Sequence, residues 1–387
     1  MKQKILVGID IGTTTTRVVV IDSTPTESGV LRILGIGTSE THGMKHGYIM
    51  SRDEATASLK KAIMNAERES GQRIRSATVS IGGIGLESVY GNGNTVVTRA
   101  DSIIGKFDIE KAIEDAEKTL DLKNKTILHA FPMIFKVDGH ELPTRPEGIK
   151  GLKLEAKVLF ITVLEQHLED LLSVVDEAGV KVIGYTATPI AAESLLLTTL
   201  QRNFGCILID IGAETTSVAV FENNTFISLH VFGIGSLDIT KDIALGMRIT
   251  PEEAESVKLG MVSFQSVSKK RLDDIIEARL SDIFELIDKY LKKIGRSGLL
   301  PAGAIIIGGG ARLPATESVA KTILKIPVRI GHIDIPSAKG TLKDNTLLVA
   351  YGTTQTTKEQ STTKSPTHHD SEGFGATIKN FFKQLMP

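Results

Sequence analysis

Gly8 to Asp22 reads GIDIGTTTTRVVVID, and Leu208 to Glu222 reads LIDIGAETTSVAVFE. About half the aligned positions are identical, and the apolar pattern matches throughout. Each copy is an apolar run, an Asp-x-Gly turn with Thr, and a second β-branched run, which is the pattern of a hairpin. Two such hairpins far apart in one chain imply two similar lobes facing each other.

The turns carry a chemistry of their own. A tight hairpin rich in small residues converges backbone N–H groups on an anion. Gly12 permits close approach because it has no side chain, and Thr13, Thr14 and Thr15 add hydroxyl donors. Asp10 would be repelled by a phosphate. It suits Mg²⁺ held through water, since that ion dehydrates reluctantly. Arg17 shares the parity of Thr13 and Thr15, so it leans toward the same side as a fixed positive charge. Asp210, Gly212, Thr215 and Thr216 repeat the arrangement in the other lobe, with Asp210 as the second water-mediated Mg²⁺ carboxylate. One such turn arises by chance in many hairpins, whereas a matched pair points to phosphate binding. Ile305 to Ala311 reads IIIGGGA. A strand running into three glycines brings backbone close to something flat or bulky. Beside the two hairpins, Gly308, Gly309 and Gly310 are expected to contact adenosine, which makes ATP the expected ligand.

Helical spacing marks Asp53 to Ser70, Asp108 to Leu120, Leu164 to Ala178, Ile275 to Lys293 and Ala315 to Leu324. Strands are expected at Ala77 to Ile81, Thr126 to Phe131, Lys157 to Thr162, Lys181 to Tyr185 and Ala304 to Ile307. The alternation indicates an α/β fold. At 387 residues the chain suits a pair of lobes. A net charge of −1 gives no field to recruit nucleic acid, and the absence of Trp leaves little for base stacking. The single Cys206 lies in an apolar run and reads as a buried strand thiol in a reducing compartment. No apolar stretch reaches the roughly 18 residues that span a bilayer, and no signal-peptide core develops after Met1.

From Thr353 to Gly373 no apolar residue occurs, so residues 353–375 read as a flexible linker. His368 and His369 within it lack neighbouring ligands and read as solvated. Beyond it Ala376 to Met386 reads ATIKNFFKQLM. Ile378, Phe381, Phe382, Leu385 and Met386 fall on one helical stripe. Lys379 and Lys383 lie on the other face and would meet anionic headgroups. Such a helix is too short to span and is shaped to lie in a membrane interface. A single one binds weakly, so attachment calls for several copies together.

Two DxG hairpins and a late glycine turn resemble the actin, Hsp70 and sugar-kinase superfamily. Within it the chain is most similar to the FtsA family of bacterial cell-division proteins. The segments GIKGLKLEAKVLFIT (148–162), TPIAAESLL (188–196) and ITKDIALGMRITPEEAESVKLG (239–260) carry that resemblance. It implies an actin-like (ribonuclease H-like) two-lobed ATPase fold with an FtsA-type, 1C-like subdomain inserted at residues 82–162. Lobe 1 would then comprise 1–81, 163–190 and the return 338–352, and lobe 2 would comprise 191–337. The linker and the membrane-targeting helix at 376–387 follow. The insert's start, Gly91-Asn92-Gly93-Asn94, looks polar and loop-rich. The resemblance further implies that Glu255 and Lys258 lie near the ribose and base. It implies a peripheral protein on the cytoplasmic membrane face at the division site. There the protein would assemble with copies of itself, tether FtsZ filaments through the FtsZ C-terminal tail, and recruit other division proteins through the insert. The tail would dock near Phe232 to Leu300, where Arg279, Lys292 and Arg296 are candidate acceptors, although such residues on a helix are usually just solvated.

Three positions depart from the family pattern. Ala213 and Glu214 stand where glycines are usual, Ser217 where a carboxylate is common, and Thr188 where related ATPases carry Glu to position water. Hydrolysis needs an oriented water, so binding is better supported than turnover, and slow ATPase activity or none is expected. Two competing readings share the fold. One is a type IV pilus-assembly ATP-binding protein, which would not need the terminal helix. The other is a small-molecule kinase, which would need a catalytic Asp that no segment resembles.

Overall fold

The computed structural model describes residues 5–25, 30–261, 268–337 and 340–361. Both repeated segments fold as hairpins. Ile5–Ile11 pairs antiparallel with Thr15–Pro25, and Cys206–Ile211 with Thr216–Glu222. Their registers coincide. Asp10 lies opposite Arg17 and Ile11 opposite Thr16, while Asp210 lies opposite Ser217 and Ile211 opposite Thr216. Each hairpin gains a third antiparallel strand, Leu31–Glu40 or Thr225–Phe232. On its other side each gains a parallel strand, Ser76–Ile81 or Ala304–Ile307. The β-branched content of these runs suits a sheet buried on both faces.

The lobe 1 sheet runs Lys181–Ala187, Ser76–Ile81, Ile5–Ile11, Thr15–Pro25, Leu31–Glu40, Ile335–Ser337, Gly340–Leu342. The lobe 2 sheet runs Thr225–Phe232, Thr216–Glu222, Cys206–Ile211, Ala304–Ile307, Val328–Ile330. Parallel neighbours need crossover connections. Helices Arg52–Ser70, Glu165–Glu177 and Thr316–Leu324 lie in these connections. In lobe 2, Ile207, Ile209 and Ile211 join one core with helices Ser236–Met247, Lys269–Lys293 and Thr316–Leu324. Leu208, Ala219 and Phe221 join the core shared with lobe 1. Strand alternation therefore turns Asp210, which has the parity of Leu208, toward lobe 1. Cys206 is buried, and burial pushes its thiol up to about 12. The helix expected from Ile275 starts six residues earlier, at Lys269. Its first turn, KKRLDD, is too polar for apolar periodicity to register.

The insert is a strand, a helix and three strands, Glu87–Val96, Lys106–Lys118, Lys125–Val137, His140–Leu142 and Lys153–Leu164. It has a core of its own around Ile109, Ile113, Leu154 and Phe160. The expectation of a loop at Gly91-Asn92-Gly93-Asn94 is corrected: these residues lie inside the first strand. Gly91 and Gly93 leave that face bare so that the helix can approach. A Cβ there would come within 2.4 Å of Ala116 O and 2.1 Å of Ala112 O.

The chain returns to lobe 1 at strand Ile335–Ser337 and continues there into helix Leu348–Ser361. The flexible tract expected from residue 353 is corrected in its first nine residues, which continue this helix. Thr353 and Thr354 are fully buried. Their hydroxyls donate to Ala350 O at 2.7 Å and Tyr351 O at 2.6 Å, so these polar side chains need no water. The Tyr351 hydroxyl donates to Leu31 O at 2.8 Å and accepts from Leu31 N–H at 3.0 Å. The rest of the expected linker, with His368 and His369, and the stripe Ile378, Lys379, Phe381, Phe382, Lys383, Leu385 and Met386 lie outside the described residues. Among the described residues no helix is long and apolar enough to cross a membrane.

Candidate functional site

The two turns line one cleft between the lobes, of about 770 Å³. They close in the same way. Gly12 N–H donates to Thr15 O at 3.2 Å, and Gly212 N–H donates to Thr215 O at 2.9 Å. The second turn is also held by the start of helix Ser236–Met247. Ser236 N–H donates to Gly212 O at 2.9 Å and Leu237 N–H to Ala213 O at 2.7 Å. A helix N-terminus thus sits directly behind the turn, adding its positive end to the cleft.

Asp10 and Asp210 enter the cleft from opposite lobes. Each keeps a partly open edge toward it, yet both sit deep among protein atoms. Burial raises the Asp10 carboxyl above the usual carboxylate range, against the pull of Arg17 and of Ser80, whose hydroxyl donates to Asp10 Oδ1 at 2.6 Å. Burial, reinforced by the charge of Asp10 and opposed by Arg17, pushes Asp210 up to about 7. Arg17 also donates from Nη1 to Thr15 O at 3.3 Å, so its one positive charge is shared between the turn and two carboxylates. Two desolvated carboxylates with one compensating cation leave an excess of negative charge that a divalent ion would neutralise. Among the described residues no cluster of three or more His, Cys, Asp or Glu forms a direct metal cage. A Mg²⁺ site built from one or two carboxylates, waters and phosphate oxygens needs no such cage.

The glycine turn completes the floor. Gly308 has φ 86° and ψ −179°, a conformation open in practice only to glycine. A Cβ on it would sit 2.2 Å from Asp210 Oδ1. Gly309 also lines the cleft, and a Cβ there would meet nothing within 4 Å. Gly310 lies behind the turn, where a Cβ would press on Ile211 Cγ2 at 2.3 Å.

The cleft is lined by Asp10, Gly12, Thr13, Thr14, Thr15 and Arg17, and by Asp210, Gly212, Thr215, Glu255, Lys258, Gly308 and Gly309. Thr216 and Gly310 are not among the lining residues. Alternation turns Thr216 to the opposite face, where it is fully buried and its hydroxyl donates to Ile234 O at 2.8 Å. Lys258 is nearly enclosed, with 4% of its side chain exposed. Its Nζ donates to Ser236 O at 3.0 Å and Thr240 Oγ1 at 2.8 Å and pairs with Glu255 at 2.7 Å. Glu255 is the more open of the two. Ser80, Gly82, Gly83, Ser236 and Arg312 also line the cleft, and sequence reasoning misses them. A signal for the first three exists. Residues 80–83 read SIGG at the end of the strand that corresponds, by its pairing, to Ala304–Ile307 before GGG. Arg279, Lys292 and Arg296 are engaged within the chain, by Asp242 at 2.6 Å, Asp288 at 2.6 Å and Glu222 at 2.7 Å.

The sequence matches the family model "Cell division protein FtsA" over residues 207–352 and "SHS2 domain inserted in FTSA" over residues 85–162. It is 32% identical over 348 residues to the cell division protein FtsA of Bacillus subtilis (strain 168), covering 84% of this chain and 78% of that protein. The chain belongs to the FtsA family. The SHS2 domain of the family model is thus the separately cored unit described above. Solved structures share the fold at lower identity. The PilM–PilN type IV pilus biogenesis complex matches with a TM-score of 0.68 and 16% identity, over 90% of this chain and 97% of that one. MreB 5 of Spiroplasma citri bound to AMPPNP matches with 0.55 and 14%, over 92% and 97%. The pilus protein is therefore a neighbour in fold, while the relatives by sequence are FtsA proteins.

Proposed function

We propose that this FtsA-family chain binds Mg²⁺-ATP in the cleft, assembles with copies of itself on the cytoplasmic face of the membrane, and tethers FtsZ filaments there to help build the septal ring. The observation that carries the nucleotide reading is the pair of identically closed turns, each beside a desolvated aspartate, opposed across one cleft. The residues fit the ligand. The turns at 12–15 and 212–215 would hold the phosphates, Asp10 and Asp210 would hold Mg²⁺ through water, and Arg17 would add positive charge. Glu255, paired with Lys258, would accept from ribose hydroxyls, and Gly308 and Gly309 would leave room for adenosine. When bound, the ion supplies charge neutralisation for the triphosphate.

Turnover is slow in this reading. Asp10, Asp210 and Glu255 are the carboxylates among the described lining residues. The first two are committed to the ion and the third to Lys258, which leaves none to orient an attacking water. Thr188 lines the cleft and offers a hydroxyl in that place.

Attachment rests on the stripe at 378–386, FtsZ capture on the outer part of lobe 2, and recruitment of later division proteins on the insert. Calorimetry with Mg²⁺-ATP tests the first step, and co-sedimentation with anionic liposomes and an FtsZ tail peptide tests the rest. Absence of any heat with adenine nucleotides would overturn the nucleotide reading. Capture of the peptide on liposomes by a chain lacking 376–387 would overturn the tethering one.

A further inference from the structure

Glu214 poses a problem of its own. It follows Ala213 in the second turn, where a carboxylate facing the cleft would repel phosphate oxygens. Ala213 and Thr215 line the cleft and Glu214 does not. Its carboxylate crosses to lobe 1, where Oε2 accepts from the backbone N–H of His46 at 2.6 Å. A second bond joins His46 Nδ1 to Glu214 O at 3.2 Å, with the ring nitrogen protonated so that it donates to the carbonyl.

His46 is held ready for this contact. It and Gly47 form the two-residue loop of a small hairpin between Met44–Lys45 and Tyr48–Ile49. Their φ values are +48° and +82°, the left-handed pair of a type I′ turn. A histidine in that region carries strain, and strained residues persist where the surroundings over-determine them. The surroundings here are specific. His46 O accepts from Ile84 N–H at 3.3 Å. Gly47 is pressed so close to Gly83 that a Cβ on it would lie 2.5 Å from Gly83 Cα. The Tyr48 ring stands edge-on to His167 with centroids 4.7 Å apart, and His167 Nε2–H donates to Gly82 O at 2.8 Å. The hairpin is thereby anchored to the Gly82–Gly83 edge of the cleft, with its tip turned to lobe 2.

We propose that Glu214 is a cross-cleft latch: drawn off its own phosphate turn by His46, its carboxylate ties the two lobes at that turn and slows the departure of bound nucleotide. This rests on the nucleotide reading given above, but the tie itself exists without ligand. Opening the lobes must break a hydrogen bond to an ionised acceptor. Such bonds contribute enough to shift an open–closed equilibrium about ten-fold or more.

The test uses the full chain and a fluorescent, methylanthraniloyl-labelled ATP with Mg²⁺, chased with unlabelled ATP. Glu214→Ala should speed dissociation about ten-fold and change the association rate little. Glu214→Gln, which keeps an acceptor oxygen without the charge, should fall between. Unchanged dissociation in Glu214→Ala would overturn the proposal. Slower dissociation in both variants would also overturn it, because the carboxylate would then be repelling phosphate. A ligand-free measurement separates this idea from the nucleotide reading. Amide hydrogen exchange over residues 44–49 should quicken in Glu214→Ala without nucleotide, and unchanged exchange would refute the latch even if ATP binds. If the wild-type chain binds no labelled ATP while exchange still quickens, the tie stands and the nucleotide reading falls.

Discussion

Replacing Gly308 with alanine should distort the ligand-free cleft, and replacing its neighbour Gly309 should not. Gly308 sits at φ 86° and ψ −179°, where a Cβ costs about 1–3 kcal/mol in backbone strain alone. The added methyl would also stand 2.2 Å from Asp210 Oδ1 and 2.6 Å from Ile211 O, well inside contact distance. Either the turn moves out of the floor or Asp210 moves away from Asp10. Both outcomes would spoil the proposed site, in which the two carboxylates would hold one ion through water. A Cβ on Gly309 would meet no protein atom within 4 Å, so that variant is a matched control for the stability of the ligand-free fold. Thermal unfolding should fall by several degrees in Gly308→Ala, at roughly 2–4 °C per kcal/mol, and stay near wild type in Gly309→Ala. Calorimetry with Mg²⁺-ATP should show at least about a ten-fold loss for the first variant, since about 1.4 kcal/mol is already a factor of ten. Equal affinities and equal melting temperatures for the two variants would refute the reasoning.

Other expectations follow from single contacts. Asp210 holds its proton up to about 7, against 3.8 ordinarily, so its contribution to the stability of ligand-free protein is complete below about pH 4 and is lost as the pH climbs through about 7. Melting temperature without Mg²⁺ should therefore drop between about pH 5 and 8, Mg²⁺ should restore it with release of protons, and Asp210→Asn should flatten the profile; a flat wild-type profile would contradict this. Tyr351→Phe strands both backbone groups of Leu31 in the core and should cost about 2–4 kcal/mol, read by calorimetric unfolding; a loss under half a kilocalorie would show that the chain relaxes around the gap. Removal of residues 376–387 should release the protein from anionic vesicles in a sedimentation assay while leaving ATP binding intact, and undiminished sedimentation would count against the membrane stripe.

The lobes are legible in sequence because a twofold repeat of the same local grammar is hard to produce by chance, and because burial of both sheet faces forces unbroken apolar runs. The paired turns that line the cleft are legible for the same reason. Thr216 misleads because identity in the repeat continues past the turn into the strand, where alternation sends it to the far face. Gly310 misleads because three adjacent glycines look alike in sequence, though the first fits a special backbone, the second faces the cleft and the third faces the core. Gly91 and Gly93 read as a loop because small and polar residues usually mean one. In this strand the missing side chains make space for a helix, a cause visible only once the helix is placed. Arg312 reaches the cleft from a segment without turn chemistry of its own, so nothing local marks it.

Helix Leu348–Ser361 is the last described element, and it lies hard against strand Ile5–Ile11. At Gly8 the fit is so close that an added methyl would overlap Ala350 O at 1.9 Å and Thr353 Oγ1 at 2.5 Å. Gly8 is two residues from Asp10. Gly352 on the same helix fits as tightly on Ala191, where an added methyl would lie 1.9 Å from the carbonyl oxygen, so a shift of this helix would disturb both helix Thr188–Leu196 and the strand that carries one of the two aspartates.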